Sequence, residues 1–138
     1  MAENKPLVYR IFEDLTSAVS GIADKVTLGR PKTLADAVNT LISVELPSEL
    51  QGVFAGNPEM SLETFGVFNI YVKAKTDGTM NVGTQTAISE KVKKLFPIKG
   101  NVLVATRPEE HYMGFDGFGF HVTQVMFKIR TLININNH

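Results

Sequence analysis

Residues 63–96 read ETFGVFNIYVKAKTDGTMNVGTQTAISEKVKKLF, and the change of rhythm inside that stretch decides the fold class. From Glu63 to Thr76 the side chains alternate. Phe68, Ile70, Val72 and Ala74 fall on one face and Val67, Asn69, Tyr71, Lys73 and Lys75 on the other, the pattern of a half-buried strand. Thr76-Asp77-Gly78-Thr79 then carries an Asp-Gly turn signal. Beyond it, over Met80 to Phe96, the apolar residues shift to helical spacing, with Ala87, Ile88, Val92, Leu95 and Phe96 on one side. Lys91, Lys93 and Lys94 sit late in this helix, where cations complement its dipole, and Pro97 stops it.

Upstream, residues 6–24 read as a first helix. Leu7, Val8, Ile11, Phe12, Leu15, Val19 and Ile22 form one apolar stripe, while Arg10, Glu13, Asp14, Ser17 and Ser20 occupy the other side. Gly21 weakens its last turn. Residues 25–39 lose the pattern around Gly29-Arg30-Pro31-Lys32 and read as an irregular connection, with a short extended piece at Val26–Leu28. Thr40 to Leu46 alternates as a strand, and Pro47 ends it because proline cannot donate to a sheet ladder. A loop follows from Ser48 to about Leu62. Val53, Phe54 and Met60 give it more apolar surface than a purely solvated loop needs.

Downstream, Asn101 to Arg107 reads as a strand and Pro108 to Gly117 as a turn region. A last strand runs from about Phe118 to Ile133. In that strand Val125, Phe127, Ile129 and Thr131 share one face, and Phe120, Val122 and Met126 the other. The apolar face changes sides at Thr123, so a bulge is expected there. Residues 1–5 and 134–138 are polar tails expected to be disordered. The expectation is an α+β fold of one domain over 1–138, in the order α-β-β-α-β-β, with a mostly antiparallel sheet and two helices packed on one face.

Composition narrows the function classes. Fourteen basic residues balance fourteen acidic ones, which argues against a chain whose main task is holding nucleic acid but leaves room for a local basic patch. With no cysteine there are no disulfides, no thiolate catalysis and no Cys-ligated zinc. No apolar stretch approaches the roughly 18 to 20 residues that span a bilayer, and the start of the chain lacks the apolar core of a signal peptide. These features fit a cytoplasmic chain without membrane partners.

The motifs offer little chemistry. Gly114-Phe-Asp-Gly117-Phe-Gly119 has the glycines of a phosphate loop, but such a loop opens a helix, and here a strand follows. Glu109, Glu110, His111, Tyr112 and Asp116 crowd the same hairpin without metal-ligand spacing, and His121 stands in the strand with no identifiable partner. Lys91, Lys93, Lys94 and Lys99, with Lys73 and Lys75, read as solvated lysines more simply than as a phosphate-binding face. Phe115, Phe118 and Phe120 are set among glycines, which suits either docking on a neighbour or folding back on the core. No catalytic, cofactor or metal residue is assigned.

The element order, with a long hairpin closing the domain, resembles the tail-terminator and tail-completion proteins of tailed bacteriophages and prophages. The stretches that carry the resemblance are Ile42-Ser-Val-Glu-Leu46, Phe68-Asn-Ile-Tyr-Val72, the helix Ala87 to Leu95, and the closing Phe127-Lys-Ile-Arg-Thr131. The resemblance implies a structural role without catalysis. Copies of the chain would form a ring, often hexameric, that caps the tail tube and meets the head connector, with nucleic acid only passing through the lumen. It would be made in the cytoplasm of a bacterial host and end in the virion tail. A closed ring of this kind joins one patch of each subunit to a different patch of the next. The expected interface is Val53, Phe54 and Met60 of the long loop with Glu109, Glu110, His111, Tyr112, Phe115 and Phe118 of the hairpin. The rival readings are a small ligand-binding or enzymatic α+β domain and a nucleic-acid-binding module.

Overall fold

A computed structural model describes residues 6–29, 38–47 and 63–131. The expected tails at 1–5 and 134–138 and the long loop at 48–62, with Val53, Phe54 and Met60, lie outside the described residues.

The fold is α+β, with two helices and a six-stranded, mostly antiparallel sheet. The elements are α1 (Leu7–Val19), β1 (Lys25–Leu28), β2 (Thr40–Glu45), β3 (Glu63–Lys73), α2 (Val82–Lys93), β4 (Ile98–Lys99), β5 (Leu103–Phe115) and β6 (Phe120–Thr131). The order is thus α-β-β-β-α-β-β-β: β1 forms where the short extended piece at Val26–Leu28 is expected, and β4 is a strand the sequence rhythm does not show. A segment of two residues is too short for alternation to register, and both short strands lie at the sheet edges.

Strand order is β1-β2-β3-β6-β5-β4. β1 runs parallel to β2, and every other pair is antiparallel. The centre is the β3–β6 ladder, unbroken from Glu63 opposite Arg130 to Lys73 opposite Phe120. Period-two alternation along these strands puts Phe68, Ile70, Val72, Val125, Phe127 and Ile129 on one face. Leu7, Ile11, Leu15 and Val19 of α1 join Ile88 and Val92 of α2 in a buried cluster with that face. The rings of Phe68, Phe96 and Phe127 meet there, with Phe68 and Phe127 centroids 4.7 Å apart and Phe96 and Phe127 5.2 Å apart.

The helices are shorter than their apolar patterns. α1 stops at Val19 because Gly21 turns left-handed (φ 85), and the Ile22 N–H donates to the Val19 carbonyl. The Asn81 side chain caps α2 by accepting from the Thr84 N–H at 3.3 Å. Its inward face differs from the expected one. Ala87 is exposed, and Gln85 and Ser89 lie buried beside Ile88 and Val92. The Gln85 amide donates to Thr123 Oγ1 at 2.9 Å and to the His121 carbonyl at 3.3 Å, and these bonds let a polar side chain sit there.

Two expectations about the last hairpin are corrected. Residues 108–115 are strand, not turn, so β5 runs thirteen residues. The bulge expected at Thr123 is absent from β6. The shifts fall instead in β5, between Thr106 and Glu109 and between Tyr112 and Gly114. The change of apolar face in β6 has another cause. Phe120 and Val122 pack with Leu41 and Tyr71 in a second small cluster on the face away from the helices.

Candidate interaction surface

The β5–β6 hairpin carries most of the expected site residues, and its alternation sorts them. Glu109 and His111 lie across from Met126 and Gln124, on the face away from the helices, with the His111 ring 3.4 Å from the Glu109 carboxylate. Glu110 and Tyr112 lie across from Val125 and Thr123, on the helix side. The apparent acid–base cluster is therefore split between two faces. Among the described residues, no group of three or more His, Asp or Glu is placed to hold a metal ion.

Glu110 is not free for a partner. Its carboxylate meets Lys93 Nζ of α2 at 2.6 Å, and Lys93 also reaches Glu90 at 3.1 Å. The bond to Lys93 holds the Glu110 carboxyl below its ordinary range, and the same bonds, to Glu110 first and Glu90 second, raise the Lys93 ammonium. Of the lysines read from the sequence as a solvated group, Lys93 is thus taken up within the fold. Lys99 follows the buried Ile98 on a two-residue strand and faces away from α2.

His121, which had no partner legible in the sequence, has two. Its Nε2–H donates to the Gly78 carbonyl at 3.0 Å, in the turn between β3 and α2, and its Nδ1 meets the Tyr112 hydroxyl. The Phe115 ring lies 5.2 Å from the imidazole. His121 therefore pins the hairpin end to the turn at Thr76–Thr79. That turn is held by Asp77, whose carboxylate accepts from the Thr79 hydroxyl at 2.6 Å and the Thr79 N–H at 3.0 Å. These bonds lower the Asp77 carboxyl from its usual range.

The hairpin turn uses its glycines as turn residues. Gly117 and Gly119 have positive φ, and the Asp116 carboxylate accepts from the Phe118 N–H at 2.7 Å and the Phe120 N–H at 3.0 Å. The three phenylalanines part company. Phe120 is buried in the second cluster, while Phe115 is 52% exposed and Phe118 78% exposed. Tyr112 at 52% and Met113 at 57% complete an apolar end to the hairpin. Met113 escaped the sequence reading because its stretch read as a turn; extending strand alternation through Pro108 would have found it. An open cleft lies between this end and the polar face, lined by Glu45, Asn69, Tyr71, Met113, Asp116 and Gln124. Glu45 accepts there from Asn69 at 2.7 Å and from the Ser43 hydroxyl at 3.2 Å.

No family model and no curated protein matches the chain. Sixteen chains of solved structure do. One of them, which carries no functional name, is 12% identical over 96% of this chain and 98% of its own, with a TM-score of 0.52. At that identity the likeness shows the fold alone. Among the described residues no helix is long and apolar enough to cross a membrane.

Proposed function

We propose that this chain is a structural, self-assembling protein of a phage or prophage virion, a subunit of the ring that terminates the tail at the head–tail junction. The observation that carries the reading is the exposed apolar end of the β5–β6 hairpin. Tyr112, Met113, Phe115 and Phe118 are each more than half exposed, on a hairpin that Asp116 and His121 hold in shape. A preformed, aromatic-rich projection gains affinity by desolvation and loses little entropy on docking. The resemblance of the element pattern to tail terminators supplies the kind of assembly.

In this reading the hairpin end of one copy docks on a different patch of the next, and the closed ring meets the tail tube on one side and the head connector on the other. The interface consists of Glu109, His111, Tyr112, Met113, Phe115 and Phe118. Glu110 is left out because Lys93 holds it. Light scattering coupled to size exclusion over a range of protein concentrations, with negative-stain images of any large species, tests the reading. A discrete ring is the expected result. A monomer at every concentration, with or without added tail tube, overturns it.

A further inference from the structure

The neutral chain is not neutral locally. On the sheet face away from the helices, the register sets Lys99 beside Val104, Val104 beside Arg130, and Arg130 beside Glu63. The next row sets Thr106 beside Lys128 and Lys128 beside Phe65. Arg107, Lys128 and Arg130 line one open cleft of about 360 Å³ together with Thr64, Thr106 and Glu63. Among the described residues the single ion pair in this group is Arg130 with Glu63, at 3.8 Å between well-exposed side chains. Among the described residues, Glu109 in the following row of the same face is across from Met126 and beside His111.

Arg107 reaches this cleft at a conformational cost. It is the one non-glycine described residue with positive φ (60), and it precedes a proline. An unbulged β5 would set residue 107 opposite Phe127, facing the buried core. The bulge between Thr106 and Glu109 turns its side chain into the cleft with the other two cations. Strain of this kind points to a use for the residue that is held in it.

Phe65 adds the second element. It lies directly across from Lys128 and is 52% exposed. A half-exposed aromatic ring among cations, of which Arg130 shares an exposed ion pair with Glu63, on an open sheet face provides both parts of a single-strand site, a surface for a base to stack on and charges for the phosphates.

We infer that the face formed by Phe65, Lys99, Arg107, Lys128 and Arg130 binds single-stranded nucleic acid, with a base stacked on Phe65 and phosphates in the Arg107–Lys128–Arg130 cleft. This site is separate from the hairpin end and does not depend on ring formation. Charge complementarity selects a polyanion, and the exposed ring favours unpaired bases over duplex or acidic peptide.

Fluorescence anisotropy on the full chain, with a labelled oligothymidylate of about a dozen nucleotides over a range of salt, tests it. The expected result is salt-dependent binding that weakens about tenfold in Phe65→Ala, with no change in the salt slope. Lys128→Gln and Arg130→Gln should each flatten the slope by about 0.7, one phosphate contact apiece. Arg107→Gly should raise the melting temperature by relieving the strained φ while weakening binding, a pair of effects that a merely structural arginine would not give. Absence of binding at low salt overturns the inference. So does equal competition by duplex DNA, by polyglutamate, or by the probe on Phe65→Ala protein.

Discussion

The Asp14 carboxylate in the middle of α1 accepts a hydrogen bond at 2.8 Å from the backbone N–H of Val102, eighty-eight residues along the chain. Both groups are buried, and the bond ties the first helix to the β4–β5 connection. A Cβ at Gly100 would collide with the same carboxylate, so Gly100 is the space that lets Asp14 in. Asp14→Ala strands a buried N–H and should cost about 1–3 kcal/mol, with Asp14→Asn, which keeps an acceptor, costing less. Gly100→Ala should be destabilising alone. Because Asp14→Ala removes the carboxylate atoms but keeps the Cβ 2.8 Å away, it relieves the collision in part, and the double variant should fall short of the sum by less than about 1 kcal/mol in a denaturant-melt cycle. Strict additivity would show that the two sites do not communicate.

Gly66 marks a second close approach. A Cβ there would come 2.6 Å from the Phe127 ring and 2.9 Å from Ile129 Cδ1. Both neighbours are buried, so neither can swing away. Gly66→Ala should destabilise by about 1–3 kcal/mol through overpacking. Phe127→Leu in the same chain should recover part of that loss, as read from the urea midpoint.

The Lys93–Glu110 pair predicts a pH dependence. The folded state lowers the Glu110 carboxyl below 4.5, so its contribution is present above the ordinary carboxylate range and is lost as pH falls through the lower folded value. The folded state raises Lys93 above 10.5, so its contribution is present below that value and is lost as pH climbs through the higher one. Both side chains are about one-third exposed, which holds the pair to about 0.5 kcal/mol after solvent screening. Glu110→Gln should therefore be slightly less stable than the parent near neutral pH. The difference should vanish in acid below the folded Glu110 value, and thermal melts across that range would show it.

At the hairpin end, Phe115→Ala combined with Glu109→Lys should dissociate an assembled ring while leaving the subunit melting temperature close to that of the parent. Both side chains are largely exposed, and neither belongs to a buried cluster. Glu110→Lys is the informative contrast. It should lower subunit stability by setting two cations together against Lys93, whatever it does to assembly. A ring that survives the first double variant would remove the hairpin end from the interface.

Phe68, Ile70 and Val72 announced the central strand, and Leu7, Ile11, Leu15 and Val19 the first helix, because periodicity is a local property that burial imposes on neighbouring positions. The strand–turn–helix passage around Asp77-Gly78 was legible for the same reason. Asp14 was not. The helical period sets it on the polar side with Arg10 and Glu13, yet it is buried, and only the approach of Gly100 and Val102 makes a buried carboxylate tolerable. Residues 108–115 misled in the opposite direction. Pro108, two glutamates and Gly114 are turn-like in isolation, yet pairing with the strongly apolar β6 draws them into a ladder at the cost of two irregularities.

The candidate surfaces divide along the same line. Apolar residues at the hairpin end were visible as composition, but the fate of each ring was not. Phe115 and Phe118 stay exposed and Phe120 is buried because Leu41 and Tyr71, on strands far away in sequence, cover only the last of them. The basic face joins residues from four strands, and no window of sequence contains it. By itself, then, the sequence determined the α+β class, the main helices and strands, and the absence of thiol chemistry, since these follow from local pattern and composition. Strand order, the partners of Asp14 and His121, and the gathering of Arg107, Lys128 and Arg130 around one cleft were decided by the tertiary structure. Each of these depends on which distant segments the sheet register places side by side.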